Sequence, residues 1–173
     1  MRTGWIDARW TYDGPLRRAL LGLKFSARLA LAGPLGRLLA EDPRLRSDAS
    51  ERPWDLATAA PLHWRRRWRR GFDQSEELLR WALRHARGGP AFAPRLLVRQ
   101  RATPPQTRQD SALERAHNLR GSFRVRDAQA VAGRRVLVVD DVTTTGATLS
   151  ACMAALVDAG AEAAGGLALL RAE

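Results

Sequence analysis

The chain has one cysteine, Cys152, and one lysine, Lys24, in 173 residues. A single cysteine excludes an internal disulfide and any cysteine-rich zinc site. Cys152 stands among Leu149, Met153 and Leu156 at helical spacing, so it is expected in the core rather than as a reactive thiol. No apolar run approaches the ~20 residues needed to span a bilayer, and no membrane insertion is expected. The start, Met1-Arg2-Thr3-Gly4-Trp5-Ile6-Asp7, holds no apolar signal region, which predicts a cytoplasmic location. Negative charge is also scarce: 18 Asp and Glu stand against 29 Lys and Arg, for a net charge of +11. Such a surface attracts polyanions, either nucleic acid or a multiply charged phosphate compound. Composition does not choose between them. Hydrophobic residues make up 45% of the chain, enough for a real core, and the length predicts a single domain over 1–173.

What is present is concentrated in Val136-Leu137-Val138-Val139-Asp140-Asp141-Val142-Thr143-Thr144-Thr145-Gly146-Ala147-Thr148. Four apolar residues, three of them β-branched, read as a strand buried on both faces, the usual state of a central parallel strand. Two carboxylates stand where it ends. Successive strand residues point to opposite sides, so Asp140 and Asp141 cannot do the same job unless the chain is already turning. Leu149 to Ala159 continues as a helix closed by Gly160. The unit is strand, loop, helix, with the loop at the carboxyl end of the strand, where open α/β sheets bind ligands. Backbone N–H groups of such a loop, with the helix N-terminus behind them, form an anion site. The threonine hydroxyls add donors, and Gly146 lets the main chain approach a phosphate closely. Asp and Thr also serve as plain helix caps, but capping does not account for two carboxylates followed by Thr-Thr-Thr-Gly-Ala-Thr.

This stretch resembles the phosphoribosyl pyrophosphate (PRPP) signature of type I phosphoribosyltransferases. The resemblance implies that Asp140 and Asp141 are the catalytic pair facing the ribose hydroxyls. The loop of Val142, Thr143, Thr144, Thr145, Gly146, Ala147 and Thr148 would bind PRPP, with Thr143 to Thr148 on its 5′-phosphate.

Earlier in the chain, Asp13-Gly14-Pro15 opens a helix lined by Leu16, Leu20 and Leu23. Gly33-Pro34 interrupts or restarts a second, carrying Leu35, Leu38 and Leu39. Two helices before any strand predict an N-terminal helical cover, 1–50, over one end of the sheet, ahead of a core at 54–173. Lys24 lies between the helices, either as a snorkelling surface residue or as a ligand for phosphate oxygens. Residues 41–53 read as a solvated loop. Trp54 to Ala60 is the first expected strand and ends at Pro61-Leu62-His63. Five arginines in the six positions 65–70, with Trp64 just before them and Trp68 among them, follow that strand end. Arginine forks pair with phosphate, while tryptophan faces stack on bases. Asp73 to Glu76 reads as a capping box for a helix through Ala86, with Leu78, Leu79, Ala82 and Leu83 inward. Leu96–Arg99 and Gly121–Val125 are short expected strands, and 101–110 reads as a long mobile loop of the kind that closes over ligands. Gly165–Leu170 is the expected last strand.

Lys24-Phe25, Pro61-Leu62-His63, Arg70-Gly71-Phe72-Asp73-Gln74, Thr103-Pro104-Pro105-Gln106, Arg115, Asn118 and the PRPP signature together resemble the ComF family. That family comprises phosphoribosyltransferase-like proteins associated with competence for DNA uptake. The resemblance implies an α/β fold with the open parallel sheet of type I phosphoribosyltransferases. It implies PRPP as substrate, with Mg²⁺ carried on the pyrophosphate and no dedicated protein metal site. Lys24, Pro61, Leu62, His63, Arg66 and Arg70 would form the pyrophosphate and basic loop, and Gln106, Arg115 and Asn118 would belong to a flexible loop. Two departures stand out: the family's N-terminal zinc-binding cysteines are missing, and Asp73 stands where Asn is usual. The implied reaction is displacement at the ribose anomeric carbon with pyrophosphate leaving, and the acceptor is unknown. Two readings stay open: a PRPP-dependent transferase, or a non-catalytic PRPP-sensing accessory protein that binds single-stranded DNA beside competence-machinery proteins.

The DNA reading has a direct check. Each single-strand phosphate neutralised contributes a slope of about −0.7 in log K against log salt. Replacing Arg66 and Arg67 by Ala should therefore flatten the slope for single-stranded DNA by roughly 1.4. An unchanged slope rules out this run as the DNA contact.

Overall fold

The computed structural model describes residues 3–25, 28–46, 54–62, 71–100, 119 and 121–173. Its centre is β6 (Arg135–Thr143), in which Val136, Leu137, Val138 and Val139 are fully buried. Leu137 and Val139 enter one hydrophobic cluster, Val136 and Val138 the other, as strand alternation requires. Each such side chain stabilises the fold by about 1.5–3 kcal/mol through burial. β6 pairs in parallel with β2 (Leu56–Ala59) on one side and β7 (Ala163–Arg171) on the other. β3 (Ala91–Phe92) and β1 (Thr3–Thr11) form the two edges, giving the order β1-β7-β6-β2-β3.

The helices divide between the faces. Leu20 and Leu23 of α1 (Gly14–Phe25), Leu35 and Leu39 of α2 (Ala32–Ala40), and Leu78, Leu79 and Ala82 of α3 (Gln74–His85) share the cluster of Leu137 and Val139. Leu149, Cys152, Met153 and Leu156 of α4 (Ala147–Asp158) cover Val136 and Val138. Cys152 is therefore a core residue, as its spacing predicts. Burial pushes its thiol well above the usual range, with the Asp140 charge adding to the effect. α4 closes in a Schellman motif: Gly160 (φ +97°) donates to the Val157 carbonyl and Ala161 to that of Leu156, both at 3.0 Å.

Four expectations change. The N-terminal segment is not purely helical, because β1 precedes α1 and pairs with β7 in the same sheet. Its alternation of Ile6, Ala8 and Trp10 with Asp7 and Arg9 carries a strand signal, muted by the charges that an edge strand tolerates. α1 and α2 also lie with α3 against one face of the sheet rather than over its end. The expected strands near 96–99 and 121–125 exist as β4 (Leu97–Arg99) and β5 (Phe123–Val125), but as a separate two-stranded antiparallel sheet. The segment from 41 is not solvated throughout. Asp42 is fully buried in a helical turn over Pro43–Leu45, where it accepts from Arg44 Nε at 2.6 Å and Nη2 at 2.5 Å. Arg44 also reaches Asp7 at 3.1 Å and covers the Trp5 ring at 4.1 Å, tying this turn to β1.

α2 and α3 approach closely at Gly36. A methyl there would overlap the Trp81 Cβ and come within 3.0 Å of the Leu78 carbonyl oxygen. Ala normally gains up to about 1 kcal/mol over Gly inside a helix. Overpacking of this kind costs about 1–3 kcal/mol. Gly36→Ala should therefore lose stability by roughly 1–2 kcal/mol in urea unfolding. A raised midpoint would mean that the two helices separate freely.

Candidate functional site

β6 runs through both carboxylates to Thr143, so the acidic pair lies within the strand's last residues rather than beyond its end. Strand alternation gives the two acids different surroundings. Asp141 is buried, with Lys24 Nζ 3.0 Å from each of its carboxylate oxygens. A buried carboxylate needs such a partner, because desolvation otherwise outweighs any gain. Lys24 comes from the last turn of α1, where the helix dipole also favours a cation. Lys24 is therefore not simply a snorkelling surface residue. It is ion-paired at the cleft.

Asp140 stays partly open to the cleft. Its Oδ1 accepts from Ser75 Oγ at 3.0 Å and from the Asp141 backbone N–H at 2.8 Å. Burial, followed by the neighbouring Asp141 charge, pushes its pKa up to about 7. Asp140 can therefore hold or release a proton near neutrality.

The loop after β6 leads into α4 through Gly146, whose φ of +77° only glycine adopts without strain. No side chain caps this helix. Ser150 donates to the Gly146 carbonyl at 2.8 Å, which starts the ladder. The N–H groups of a first helical turn have no carbonyl within the helix to meet, so they point at whatever anion sits there. Thr144 and Thr145 are exposed, and Thr143 is buried with its carbonyl accepting from Ala172 at 2.8 Å. β1 supports the loop from below: a side chain at 146 would meet Ile6 Cδ1 at 3.2 Å. A cavity of about 190 Å³ is formed by this loop and Leu119.

The third wall is Pro61-Leu62, at the end of β2. The Ala60 N–H donates to the Val139 carbonyl at 2.8 Å, and the Leu62 N–H donates to Asp73 Oδ2 at 3.0 Å. The other Asp73 oxygen caps α3, accepting from Ser75 N at 3.1 Å and Glu76 N at 3.3 Å. Asp73 thus faces backbone N–H groups, a role in which a carboxylate serves as well as an amide. A cavity of about 170 Å³ collects Lys24, Pro61, Leu62, Ser75, Asp140 and Asp141. Thr148 lines both it and the loop cavity, so the two are neighbours at that side chain.

Of the residues singled out from sequence, Lys24, Pro61, Leu62, Asp140, Asp141 and the loop Val142 to Thr148 come together here. His63, Arg66, Arg70, Gln106, Arg115 and Asn118 lie outside the described residues. Sequence reasoning missed Ser75, Gln74 and Arg99, which also line the acidic cavity. Ser75 and Gln74 sit in the first turn behind the Asp73 cap, a signal that was present. Arg99 carried none, because β4 reaches the cleft only through tertiary packing.

The family described as phosphoribosyl transferase domain matches residues 88–172. A DNA utilization protein YhgH of Salmonella typhimurium is 38% identical over 141 residues, covering 80% of this chain and 60% of the relative. The protein of that name from Escherichia coli is 36% identical over 157 residues, covering 88% of this chain and 65% of the relative. The one from Shigella flexneri is 37% identical over 144 residues, with coverage of 80% and 60%. The chain carries a phosphoribosyl transferase domain and is similar over most of its length to these ComF-family relatives. It spans about 60–65% of the length of these relatives. The matched domain holds β6, the threonine loop and α4, whereas Lys24, Pro61 and Ser75 precede it in the sequence. The cleft is thus completed by residues outside the matched span.

The raised pKa of Asp140 has a consequence for stability. The folded state keeps this proton up to about pH 7, while the unfolded chain releases it near the ordinary value of 3.8. Between those values the folded state binds more protons, so this group's contribution is full below about pH 4 and is lost as pH rises through about 7. Urea midpoints of wild type should therefore fall relative to Asp140→Asn across that window. Parallel pH curves would show that Asp140 titrates as an ordinary carboxylate.

Proposed function

We propose that this chain binds PRPP and transfers its phosphoribosyl group to an acceptor. The observation that carries this reading is an uncapped helix N-terminus and threonine loop beside a cavity lined by two carboxylates and Lys24, with Thr148 common to both. In this reading the 5′-phosphate rests on the N–H groups of the loop and of the first turn of α4. The ribose hydroxyls donate to the Asp140 and Asp141 carboxylates. The diphosphate extends over Pro61-Leu62 toward Lys24 and Arg99, whose charges oppose its growing negative charge as the anomeric bond breaks. The chain's contribution is positioning and charge stabilisation, with no protein nucleophile needed.

The donor set suits Mg²⁺ arriving on the substrate. Among the described residues no group of three His, Cys, Asp or Glu stands ready to hold a metal. Asp140 is the carboxylate open to the cleft, while Asp141 is engaged by Lys24. Such a site fits an ion held chiefly by substrate oxygens and water, as Mg²⁺ prefers. When bound, the ion would offset diphosphate charge during departure.

The name of the relatives, DNA utilization protein, supports a second element of the reading, a role in DNA utilization. In that role PRPP binding would be joined by a single-stranded DNA contact, with or without transfer.

Asp141→Asn tests the ribose assignment. Losing a charged hydrogen-bond acceptor costs about 1.5–3 kcal/mol. That corresponds to roughly 10- to 150-fold in PRPP affinity. Calorimetry on a variant with a native circular dichroism spectrum should show this loss. Equal affinity in the folded variant would remove the ribose role.

A further inference from the structure

A third cavity, of about 260 Å³, lies between Pro61-Leu62 and the β4–β5 sheet, and neither Asp140, Lys24 nor the threonine loop lines it. It shares Pro61, Leu62 and Arg99 with the acidic cavity, so the two adjoin along that wall. Three arginines line it, Arg95 and Arg126 at its exposed rim and the half-buried Arg99. Two acids also line it, and both are engaged. Asp73 accepts from the N–H groups of Leu62, Ser75 and Glu76, and Glu76 pairs with Arg80 Nη2 at 3.2 Å. Among the described residues neither Arg95 nor Arg126 has an ion-pair partner. Arg99 is held with its guanidinium 5.5 Å from the centre of the Phe123 ring.

Arg95 adds a backbone signal. Its φ of +53° makes it the only non-glycine residue with positive φ among the described residues. A long side chain held in that region costs about 1 kcal/mol or more, and such strain tends to collect at ligand sites. The volume is below the roughly 300 Å³ lower bound of common ligand pockets, which leaves room for a single ring or short chain.

We infer that this cavity takes the acceptor, and that it selects a small acceptor bearing an anionic group, a carboxylate or a phosphate. The inference rests on the PRPP reading above and adds the substrate class. Arginine forks pair bidentately with either anion, while Leu62 and Leu97 offer an apolar side to the rest of the molecule. A lone pair on the acceptor forms the new bond at the ribose anomeric carbon. The bond from that carbon to the diphosphate oxygen breaks and its electron pair leaves with the diphosphate. Any proton on the attacking atom passes to solvent.

The test uses the full chain and three probes: benzoate, phenyl phosphate and neutral benzamide, each titrated calorimetrically with and without PRPP. PRPP is also titrated alone, which reports separately on the PRPP reading. Benzoate or phenyl phosphate should bind where benzamide does not, and whichever binds identifies the anion. Arg95→Gly and Arg126→Gln should each weaken that binding roughly tenfold or more. Glycine suits positive φ, so the Arg95 variant should fold at least as stably as wild type. Both variants should keep wild-type affinity for PRPP. Equal binding of benzamide and benzoate, or no binding of either anion, would overturn the inference. So would a loss of PRPP affinity in the arginine variants, because these side chains would then hold the diphosphate. Failure of PRPP to bind wild type would instead remove the PRPP reading, whatever the anions do.

Discussion

The ion pair between Asp141 and Lys24 is the constraint on which the cleft depends. A carboxylate on a strand buried on both faces has no water to turn to, and its neighbour Asp140 brings a second negative charge. Strand geometry keeps the two apart in direction but not in distance. One acid is met by an ammonium delivered from the end of α1, and the other by the Ser75 hydroxyl from the start of α3. Removing one partner of a buried pair generally costs about 3–5 kcal/mol, because the remaining charge is stranded. The docking of α1 and α3 is therefore tied to the chemistry of the cleft as well as to the apolar cluster beneath them. Burial and the neighbouring Asp141 charge, opposed by Ser75 and Lys24, leave Asp140 as the acid that exchanges its proton near neutral pH.

A second tier of contacts keeps the rim in register. Asp73 caps α3 and holds the Leu62 N–H with its other oxygen, so one buried side chain aligns the β2 end with the helix that carries Ser75. Its charge is spent on three backbone donors rather than presented to an incoming anion. β1 performs the matching task on the other side, placing Ile6 under Gly146 where the chain turns into α4. The threonine loop thus rests on an edge strand more than 130 positions earlier in the sequence.

The legibility of this site followed the range of the interactions. The Val136–Thr148 stretch could be read because strand, acid pair, glycine turn and helix start are consecutive, and each leaves a local mark. Asp73 and the first turn of α3 were equally local, and the capping pattern placed that helix start at the residue. Lys24 stayed ambiguous because its partner lies 117 residues away. Arg95, Arg99 and Arg126 gave no warning at all. They sit in a chain so rich in arginine that another one carries no information until packing gathers them around one cavity.

By itself the sequence determined the class of the fold, the central strand and the glycine turn into α4, because periodicity and turn chemistry act over a few residues. It also placed α1, α2, α3 and α4 close to where they are found, and Cys152 in the core. Tertiary structure alone decided that β1 joins the sheet at β7, since an edge strand buries only part of one face and tolerates Asp7 and Arg9. It alone decided that β4 and β5 leave the main sheet to pair with each other, because strand partnership is a long-range choice that neither strand encodes. And it alone decided which acid is locked and which is open, because that follows from Lys24 and Ser75 arriving from distant helices at a strand that fixes the direction of each side chain.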